Sequence, residues 1–435
     1  DHRDLHSFPT RRSSDLEHKD GATVKQSFTY TLDDVGNILA MAQADGSEWA
    51  YEYDARYRLT KAERYNAADV LLHRFSYAYD TGDNLLTKLV YDGSNTVTTV
   101  FAYNTNNELA TMTTGGIATT FAYDAWGRQT SKTQGAYSAT YAYRYGDMLY
   151  AVASNFPSEG NVTYQYGGDG KRRSRTSGAS ETWYNYDAGW NIVSTEDDAD
   201  GSSGDLTRTY TGRNTAHVDG TNPSTGEYKY YTLDHLGSTR DVWNQSKTAY
   251  AGLEYDPYGS VYATSGAAAY IDRRYTGHLW DATSQLYAAP YRAYSPTQSR
   301  WTTRDPLGMV DGPNMYGYVG GNPVNAYDRD GGFALKAICC GACIAFLGWD
   351  LYEALKTCSD ESDTMGEYGT CIAKELMKQL GGGDTGACIN TAIVTALDMS
   401  DMLSGIIDCF KCDIVGSFRD TGTMVSCLCC LGVLV

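Results

Sequence analysis

Hydrophobic and polar positions repeat along the first half of this chain in one short pattern. Each copy begins with an aromatic residue, a variable residue and a tyrosine, and then enters a cluster rich in aspartate, asparagine and glycine. The copies are FTYTLDDVGNIL (28–39), YEYDARYRL (51–59), YAYDTGDNL (77–85), FAYNTNNEL (101–109), FAYDAWGRQ (121–129), YAYRYGDML (141–149), YQYGGDGKR (164–172) and YNYDAGWNI (184–192). From position 51 onward their first aromatics are 26, 24, 20, 20, 23 and 20 residues apart, which is the spacing of a tandem repeat.

The period of two within each copy predicts a β-strand, because alternate side chains of a strand lie on one face. The Asp/Asn/Gly cluster predicts a tight turn, and alternation resumes after it, as at Leu109, Thr111 and Thr113. Each repeat is therefore predicted to be a β-hairpin with both rings on one face. A lone hairpin cannot bury that face, so the repeats are predicted to stack into a long antiparallel sheet with ladders of stacked rings.

The pattern changes after residue 332. Apolar residues between 389 and 410 advance by three or four positions, which predicts an amphipathic helix. Only two of the 37 tyrosines lie in this tail, whereas all 11 cysteines do. We therefore predict a separate, small, mainly α-helical, Cys-rich domain over 333–435. Its longest apolar run, 337–349, is too short to span a bilayer unaided and leaves membrane contact of the tail open.

The cysteines of the tail admit three interpretations. In a secreted protein they imply a disulfide framework with one thiol left over. They can also be reduced packing residues, and Cys409, Cys412, Cys427 and Cys430 approximate a four-thiolate zinc spacing. The tail lacks histidine, which disfavours nucleases and thiol proteases that depend on an imidazole.

Composition narrows the partners. The formal net charge is −18, and the only short basic cluster is KRRSR at 171–175, so nucleic acid is not expected to bind the repeat region. No cofactor and no metal site is predicted. The opening DHRDLHSFPTRRSSDL has neither the repeat period nor the apolar core of a signal peptide, and residues 1–16 are interpreted as a non-native scar outside the fold.

The repeats resemble the YD repeats of the Rhs family, which includes bacterial polymorphic toxins and the C component of insecticidal Tc toxins, with distant kin among animal teneurins. Later stretches are similar to the RHS repeat-associated core of that family, namely YYTLDHLGSTRDVW (230–243), EYDPYGSV (254–261) and 273–308. The resemblance implies a β-sheet that spirals into a shell around a C-terminal toxic segment. With about eight early repeats, this chain is expected to form an open part of such a shell.

On this resemblance the chain divides into a YD-repeat sheet at 17–229, a core at 230–332 and a variable tail at 333–435. In the family, the core cuts the tail free. The partners implied are the chain's own C-terminal segment as cargo, other toxin or secretion-complex subunits, or the surface of a neighbouring cell. The implied location is secreted or cell-surface.

The family's protease motif has an Arg-Asp-Pro, an Asn-x-Tyr-x-Tyr, an Asn-Pro and a second Asp. The matching residues here are Arg304-Asp305-Pro306, Asn314 to Tyr318, Asn322-Pro323 and Asp328. The resemblance implies that Asp305 and Asp328 form a catalytic pair, that Arg304 supports it, and that the cut lies between Gly332 and Phe333. Two carboxylates that share a proton can act as acid and base in amide hydrolysis.

One residue departs from the family motif. Arg329 stands where the family has a proline after the second aspartate. A flexible cation beside Asp328 would favour the ionised carboxylate, so cleavage is expected to be slow or absent. Two alternatives stay open: Asp305 and Asp328 cap turns and have no catalytic role, and the protein is a non-catalytic surface or adhesion protein with a disulfide-rich tail.

Overall fold

The structure is a computed structural model that describes residues 11–187, 191–198, 207–211, 216–219, 226–309, 311–332 and 334–336. The chain forms two compact units, Asp1–Leu335 and Lys336–Val435. The helical Cys-rich domain predicted from the sequence lies outside the described residues, apart from 334–336, and stays a prediction.

The described residues are almost entirely β-structure. The strands are β1 Arg11–Asp20, β2 Thr23–Leu32, β3 Ile38–Gln43, β4 Glu48–Tyr53, β5 Leu59–Tyr65, β6 Leu71–Tyr79, β7 Leu85–Tyr91, β8 Thr96–Tyr103, β9 Leu109–Thr114, β10 Ile117–Tyr123, β11 Gln129–Gln134, β12 Tyr137–Arg144, β13 Met148–Ser154, β14 Val162–Tyr166, β15 Arg172–Ser177, β16 Ser180–Tyr186, β17 Ile192–Asp198, β18 Thr207–Thr211, β19 Ala216–Asp219, β20 Glu227–Leu233, β21 Thr239–Asn244, β22 Ala249–Tyr255, β23 Val261–Gly266, β24 Leu279–Asp281, β25 Leu286–Ala288, β26 Ala293–Ser295, β27 Arg300–Trp301, β28 Ala326–Asp328 and β29 Ala334–Lys336. Within this part of the chain the helices are three short 3-10 turns, Ala268–Tyr270, Tyr275–Gly277 and Val319–Gly321.

The first 23 strands form one antiparallel sheet. Each strand from β1 to β22 pairs with the next strand along the chain, so the sheet is a continuous series of hairpins. The predicted long antiparallel sheet is confirmed. It runs without interruption across position 229 and ends at Gly266, and its first strand includes Arg11–Leu16, which the sequence interpretation left outside the fold.

In most repeats an aspartate or asparagine caps the turn of the hairpin. Asp54 is representative: its Oδ1 accepts the backbone N–H groups of Arg56 (2.9 Å) and Arg58 (3.0 Å), and its Oδ2 accepts from the Arg58 guanidinium (2.7 Å). Tyr57 between them has φ 61°, the left-handed conformation that closes a three-residue hairpin loop with a bulge. Asp33, Asp80 and Asp124 make the corresponding bonds. The repeated Asp/Asn positions thus mark turns that the hydrogen bonds of one side chain stabilise.

In several repeats the tyrosine at the third position links neighbouring hairpins. The Tyr53 hydroxyl donates to the Ile38 carbonyl (2.7 Å), Tyr79 to Leu59 (2.9 Å) and Tyr103 to Leu85 (2.8 Å). The first aromatics are mostly buried, with Phe28, Tyr77 and Phe101 among them. The rings therefore share one face, as the period of two predicted, and hydrogen bonds to the preceding repeat help to hold the register.

The sheet winds until its late strands face its early ones. Arg64 of β5 contacts Glu254 of β22 (3.3 Å) and donates to the Tyr262 hydroxyl of β23 (2.9 Å). The buried Lys88 of β7 pairs with Asp256 at 2.6 Å. Among the described residues β1 and β23 do not pair with each other, so the sheet is an open spiral, as expected from the sequence.

After β23 the chain crosses the turns of the sheet. The Asn325 side chain accepts from the Ile38 N–H (2.7 Å), Asn314 donates to Asn84 (2.9 Å), and Tyr316 donates to the Gly127 carbonyl (2.7 Å). Strands β24 to β27 form a small second sheet within this crossing segment. The segment 268–332 is thereby anchored to hairpins that lie far apart along the sheet, and it carries both aspartates of the predicted site.

Candidate active site

Asp305 and Asp328 meet at one buried arginine. Arg292 precedes β26, and its Nη2 donates to Asp305 Oδ2 at 2.7 Å and to Asp328 Oδ2 at 3.2 Å. The side chains of Arg292, Asp305 and Asp328 are 2%, 5% and 2% exposed, respectively. Two carboxylates that are 23 residues apart in sequence therefore flank a single guanidinium that is shielded from water.

The other oxygen of each carboxylate organises a turn. Asp305 Oδ1 accepts the Leu307 N–H at 2.8 Å. Asp328 Oδ1 accepts the N–H groups of Gly331 (2.8 Å) and Gly332 (3.2 Å). Each aspartate thus caps a turn and faces the guanidinium at the same time, so turn capping does not exclude a chemical role. The Asp328 carboxylate contacts the backbone of the residue that the sequence places immediately before the cut, whereas Phe333 itself lies outside the described residues.

Arg292 is held by its surroundings as well as by the carboxylates. Its Nη1 donates to the Met315 carbonyl (3.1 Å), and its guanidinium lies 4.4 Å from the centre of the Trp301 ring. Burial lowers the pKa of Arg292, against the opposing charges of Asp305 and Asp328. Burial also raises the pKa of Asp305 above its ordinary value, although the Arg292 charge opposes this shift.

Arg304 lies apart from the carboxylate pair. Its guanidinium donates to the Tyr316 hydroxyl (3.3 Å) and to Glu108 of the repeat sheet (3.1 Å). The sequence interpretation assigned the supporting cation to Arg304, whereas the structure brings Arg292 to the pair. The signal for Arg292 was its position in YAAPYRAYS, a stretch of small and aromatic residues where a lone arginine is buried and needs a partner.

Arg329 points away from Asp328. Its guanidinium donates to Asn191 Oδ1 at 2.6 Å, and the residue is exposed. Asp330 accepts the Gly332 N–H at 2.9 Å and so joins Asp328 in holding this turn. The cation that faces Asp328 is thus Arg292, and the charge of Arg329 is directed to the neighbouring hairpin turn.

Other titratable groups near this segment are packed within it. His235 lies between the Tyr30 hydroxyl (3.1 Å) and the Val324 carbonyl (2.7 Å). His278 shares a 2.6 Å contact with Thr276, and burial lowers its pKa to about 4. In the part of the chain that the structure describes, no group of three or more His, Cys, Asp or Glu side chains is arranged to hold a metal ion. Over the same residues no helix is long and apolar enough to cross a membrane.

Comparison with known proteins finds partial similarity to one family model and to several larger proteins. The RHS Repeat family model matches residues 33–69. Salivary gland surface protein 1 of Aedes aegypti is 39% identical over 114 residues, which are 25% of this chain and 3% of that protein. Toxin subunit YenC2 of Yersinia entomophaga is 44% identical over 82 residues, 18% of this chain and 8% of that protein. The tRNA nuclease WapA of Bacillus subtilis is 28% identical over 191 residues, 42% and 8% respectively.

The hairpins capped by YD aspartates define a tandem-repeat β-sheet protein crossed by a C-terminal core segment. In these repeats the chain is similar to YD-repeat proteins of the Rhs family. It spans less than a tenth of the length of the three relatives named above.

Proposed function

We propose that this chain is part of a toxin-related Rhs shell that cuts itself after Gly332 and releases the segment from 333 onward as cargo. The observation that carries the proposal is the meeting of Asp305 and Asp328 on the buried Arg292, with Asp328 holding the Gly332 N–H. Similarity to a toxin subunit supports the toxin context. Secretion or display at the cell surface, and association with further toxin subunits, belong to the same proposal.

The geometry distributes the roles within the pair. Because one guanidinium contacts both carboxylates, both can be ionised together, and an ionised base is present near neutral pH. Asp305 is the better base, since burial raises its pKa and it accepts only the Leu307 N–H through its other oxygen. Asp328 accepts two backbone N–H groups and therefore positions the chain before the cut. Arg292 Nε is buried without a partner among the described residues and offers a donor to the oxyanion.

We expect Asp305→Asn and Asp328→Asn each to stop the cut while the sheet stays folded. At Asp305 the amide is nearly isosteric with the carboxylate but cannot act as a base, and loss of a general base slows a reaction by about 10²–10⁴-fold. At Asp328 the uncharged amide no longer forms an ion pair with Arg292, which disturbs the group that holds the Gly332 N–H. The measurement is intact mass during a time course after cell-free synthesis, with circular dichroism to confirm β-structure.

Asp330→Asn is the matched control, because Asp330 also accepts the Gly332 N–H but does not contact Arg292 within the described hydrogen bonds. Wild type and this control should both yield a fragment ending at Gly332. A folded wild-type chain that stays whole would contradict self-cleavage and would leave Asp305 and Asp328 as turn caps.

A smaller effect is expected from Arg329→Pro. Proline restores the family turn and fixes φ, which favours the folded turn by about 0.4–1 kcal/mol where the conformation is compatible. The sequence also predicted a benefit from removing a cation beside Asp328. This benefit is expected to be small, because the Arg329 guanidinium donates to Asn191 instead. We expect cleavage to be several-fold faster at most in the same mass assay. Slower cleavage in this variant would show that the Asn191 contact, and not the proline, orders the turn.

A second candidate function is a non-catalytic surface or contact protein. Similarity to Salivary gland surface protein 1 over 25% of this chain favours it. In this alternative the crossing segment is only a brace on the sheet, and the tail remains attached as a disulfide-rich extension. An uncut, folded chain whose mass is unchanged by Asp305→Asn supports the alternative.

A further inference from the structure

A third carboxylate lies at the far side of the proposed cut. Asp311 follows the turn that Asp305 caps, and its Oδ2 accepts the N–H of Ala334 at 2.8 Å. Ala334 opens β29 and is the second residue after Gly332. Asp328 thus contacts the backbone just before the cut, and Asp311 contacts it just after, so the two carboxylates bracket the peptide bond that is to be broken.

The charges at this place do not balance if every carboxyl is ionised. Asp305, Asp311 and Asp328 would carry three negative charges against the guanidinium of Arg292, whose Nη2 contacts Asp305 and Asp328, and the charge of Asp330 also acts on Asp305. Like charges close together disfavour ionisation, so one carboxyl is expected to keep a proton. Protonation costs the least free energy at Asp311, because this carboxyl has no guanidinium contact among its described hydrogen bonds.

The electrostatics of Asp311 agree with this count. Desolvation of its carboxyl group raises the pKa of Asp311 to about 6, although the Ala334 N–H opposes this shift; the charges of Asp328 and Asp305 reinforce it, and Arg292 also opposes it. Much of the residue still faces solvent, so the carboxyl can take up a proton from water before the chain is cut. At mildly acidic pH the group is therefore a neutral acid.

We infer that Asp311 is the general acid of the proposed cleavage, donating a proton to the nitrogen that leaves Gly332. This inference rests on the proposed function. A neutral carboxyl has one oxygen that accepts the Ala334 N–H and a second that carries the proton, so one side chain can hold the segment after the cut and protonate its amine.

The reaction balances with water as the only co-reactant. Asp305 takes one proton from water as the water oxygen bonds to the carbonyl carbon of Gly332. The carbon–nitrogen bond to residue 333 then breaks, its electron pair goes to nitrogen, and Asp311 gives its proton to that nitrogen. The products are a carboxylic acid at Gly332 and a free amine, and Asp305 and Asp311 exchange their protons with solvent.

The pH profile of cutting tests the assignment. The acid form of Asp311 is required, so the wild-type rate should fall as pH rises through about 6. On the acid side the rate should fall when the base becomes protonated. The cell-free product of the full 435-residue chain is transferred to buffers from acid to alkaline, and the uncut mass is followed in time.

Asp311→Asn keeps an oxygen that can accept the Ala334 N–H but has no proton to give, so it separates acid catalysis from positioning. We expect cutting about 10²-fold slower and loss of the alkaline limb near pH 6. Asp311→Glu should restore part of the rate together with that limb.

The outcomes separate this inference from the proposed function. A wild-type chain that stays whole at every pH overturns self-cleavage and this inference with it. Cutting by Asp311→Asn at the wild-type rate with an unchanged profile overturns only the inference. A slow Asp311→Asn variant that retains the alkaline limb assigns Asp311 to positioning and likewise overturns its role as the acid.

Discussion

Arg292→Met is expected to be the most damaging single substitution at the carboxylate pair. Methionine keeps most of the side-chain volume but removes the only described cation that contacts Asp305 and Asp328, whose side chains are 5% and 2% exposed. Removing one partner of a buried ion pair costs about 3–5 kcal/mol, because the remaining charge stays buried without compensation. Urea unfolding of the full chain should show a loss of that size, and cutting should stop.

The pH dependence of this loss has a definite sign. Burial raises the pKa of Asp305 in the folded state, and without Arg292 this shift loses its main opposing charge, so the folded state binds more protons than the unfolded state. The stability of Arg292→Met should therefore recover as pH falls and decline as pH rises through the folded pKa of Asp305. Asp305→Asn should reduce the loss of stability caused by Arg292→Met, because only one carboxylate is then buried without its cation.

Arg292→Lys is the matched control for charge without geometry. A lysine retains a cation but presents one compact ammonium, which cannot reproduce the contacts with both carboxylates and with the Met315 carbonyl. We expect an intermediate loss of stability and a large loss of cutting. If Arg292→Met unfolds at the wild-type urea concentration, the bridge contributes little and its charges are compensated elsewhere.

The repeat sheet could be predicted because its determinants are local. Asp54 accepts the backbone N–H groups of the residues two and four positions ahead, so five consecutive residues specify the turn. The alternation before and after that turn sets which face is buried. A motif of nine residues therefore specifies a hairpin, and its repetition specifies the sheet.

The partners of the site could not be predicted in the same way. The family resemblance assigned Arg304 to support Asp305, its neighbour in sequence, but the two side chains have different partners. Arg304 contacts Glu108 of the sheet, and Asp305 contacts Arg292. The pairing of Arg292 with both aspartates depends on how β26, β27 and β28 lie against the sheet, which no local pattern encodes.

The crossing segment is also stabilised by contacts between residues about 190 positions apart. Gly127 lies in the turn capped by Asp124, with φ 78°, and its carbonyl accepts the Tyr316 hydroxyl at 2.7 Å. A Cβ added there would lie 2.5 Å from that hydroxyl oxygen and 2.2 Å from Arg304 Nε. Arg304 is one-third exposed and can move, whereas Tyr316 is fully buried and cannot do so without disturbing its neighbours.

Gly127→Ala should therefore destabilise the protein far more than a glycine substitution in a free turn. Adopting a positive φ costs alanine about 1–2 kcal/mol, the overlap with Tyr316 about 1–3 kcal/mol, and loss of the Tyr316 hydrogen bond about 1 kcal/mol. Gly115→Ala is the control, because Gly115 also has a positive φ of 56° but nothing lies within 4 Å of its added Cβ. Urea midpoints of the two variants should differ by the equivalent of about 2–4 kcal/mol. The Gly127 variant should also cut more slowly, because Tyr316 follows Met315, whose carbonyl accepts from Arg292. Equal midpoints would show that the crossing segment does not depend on this turn.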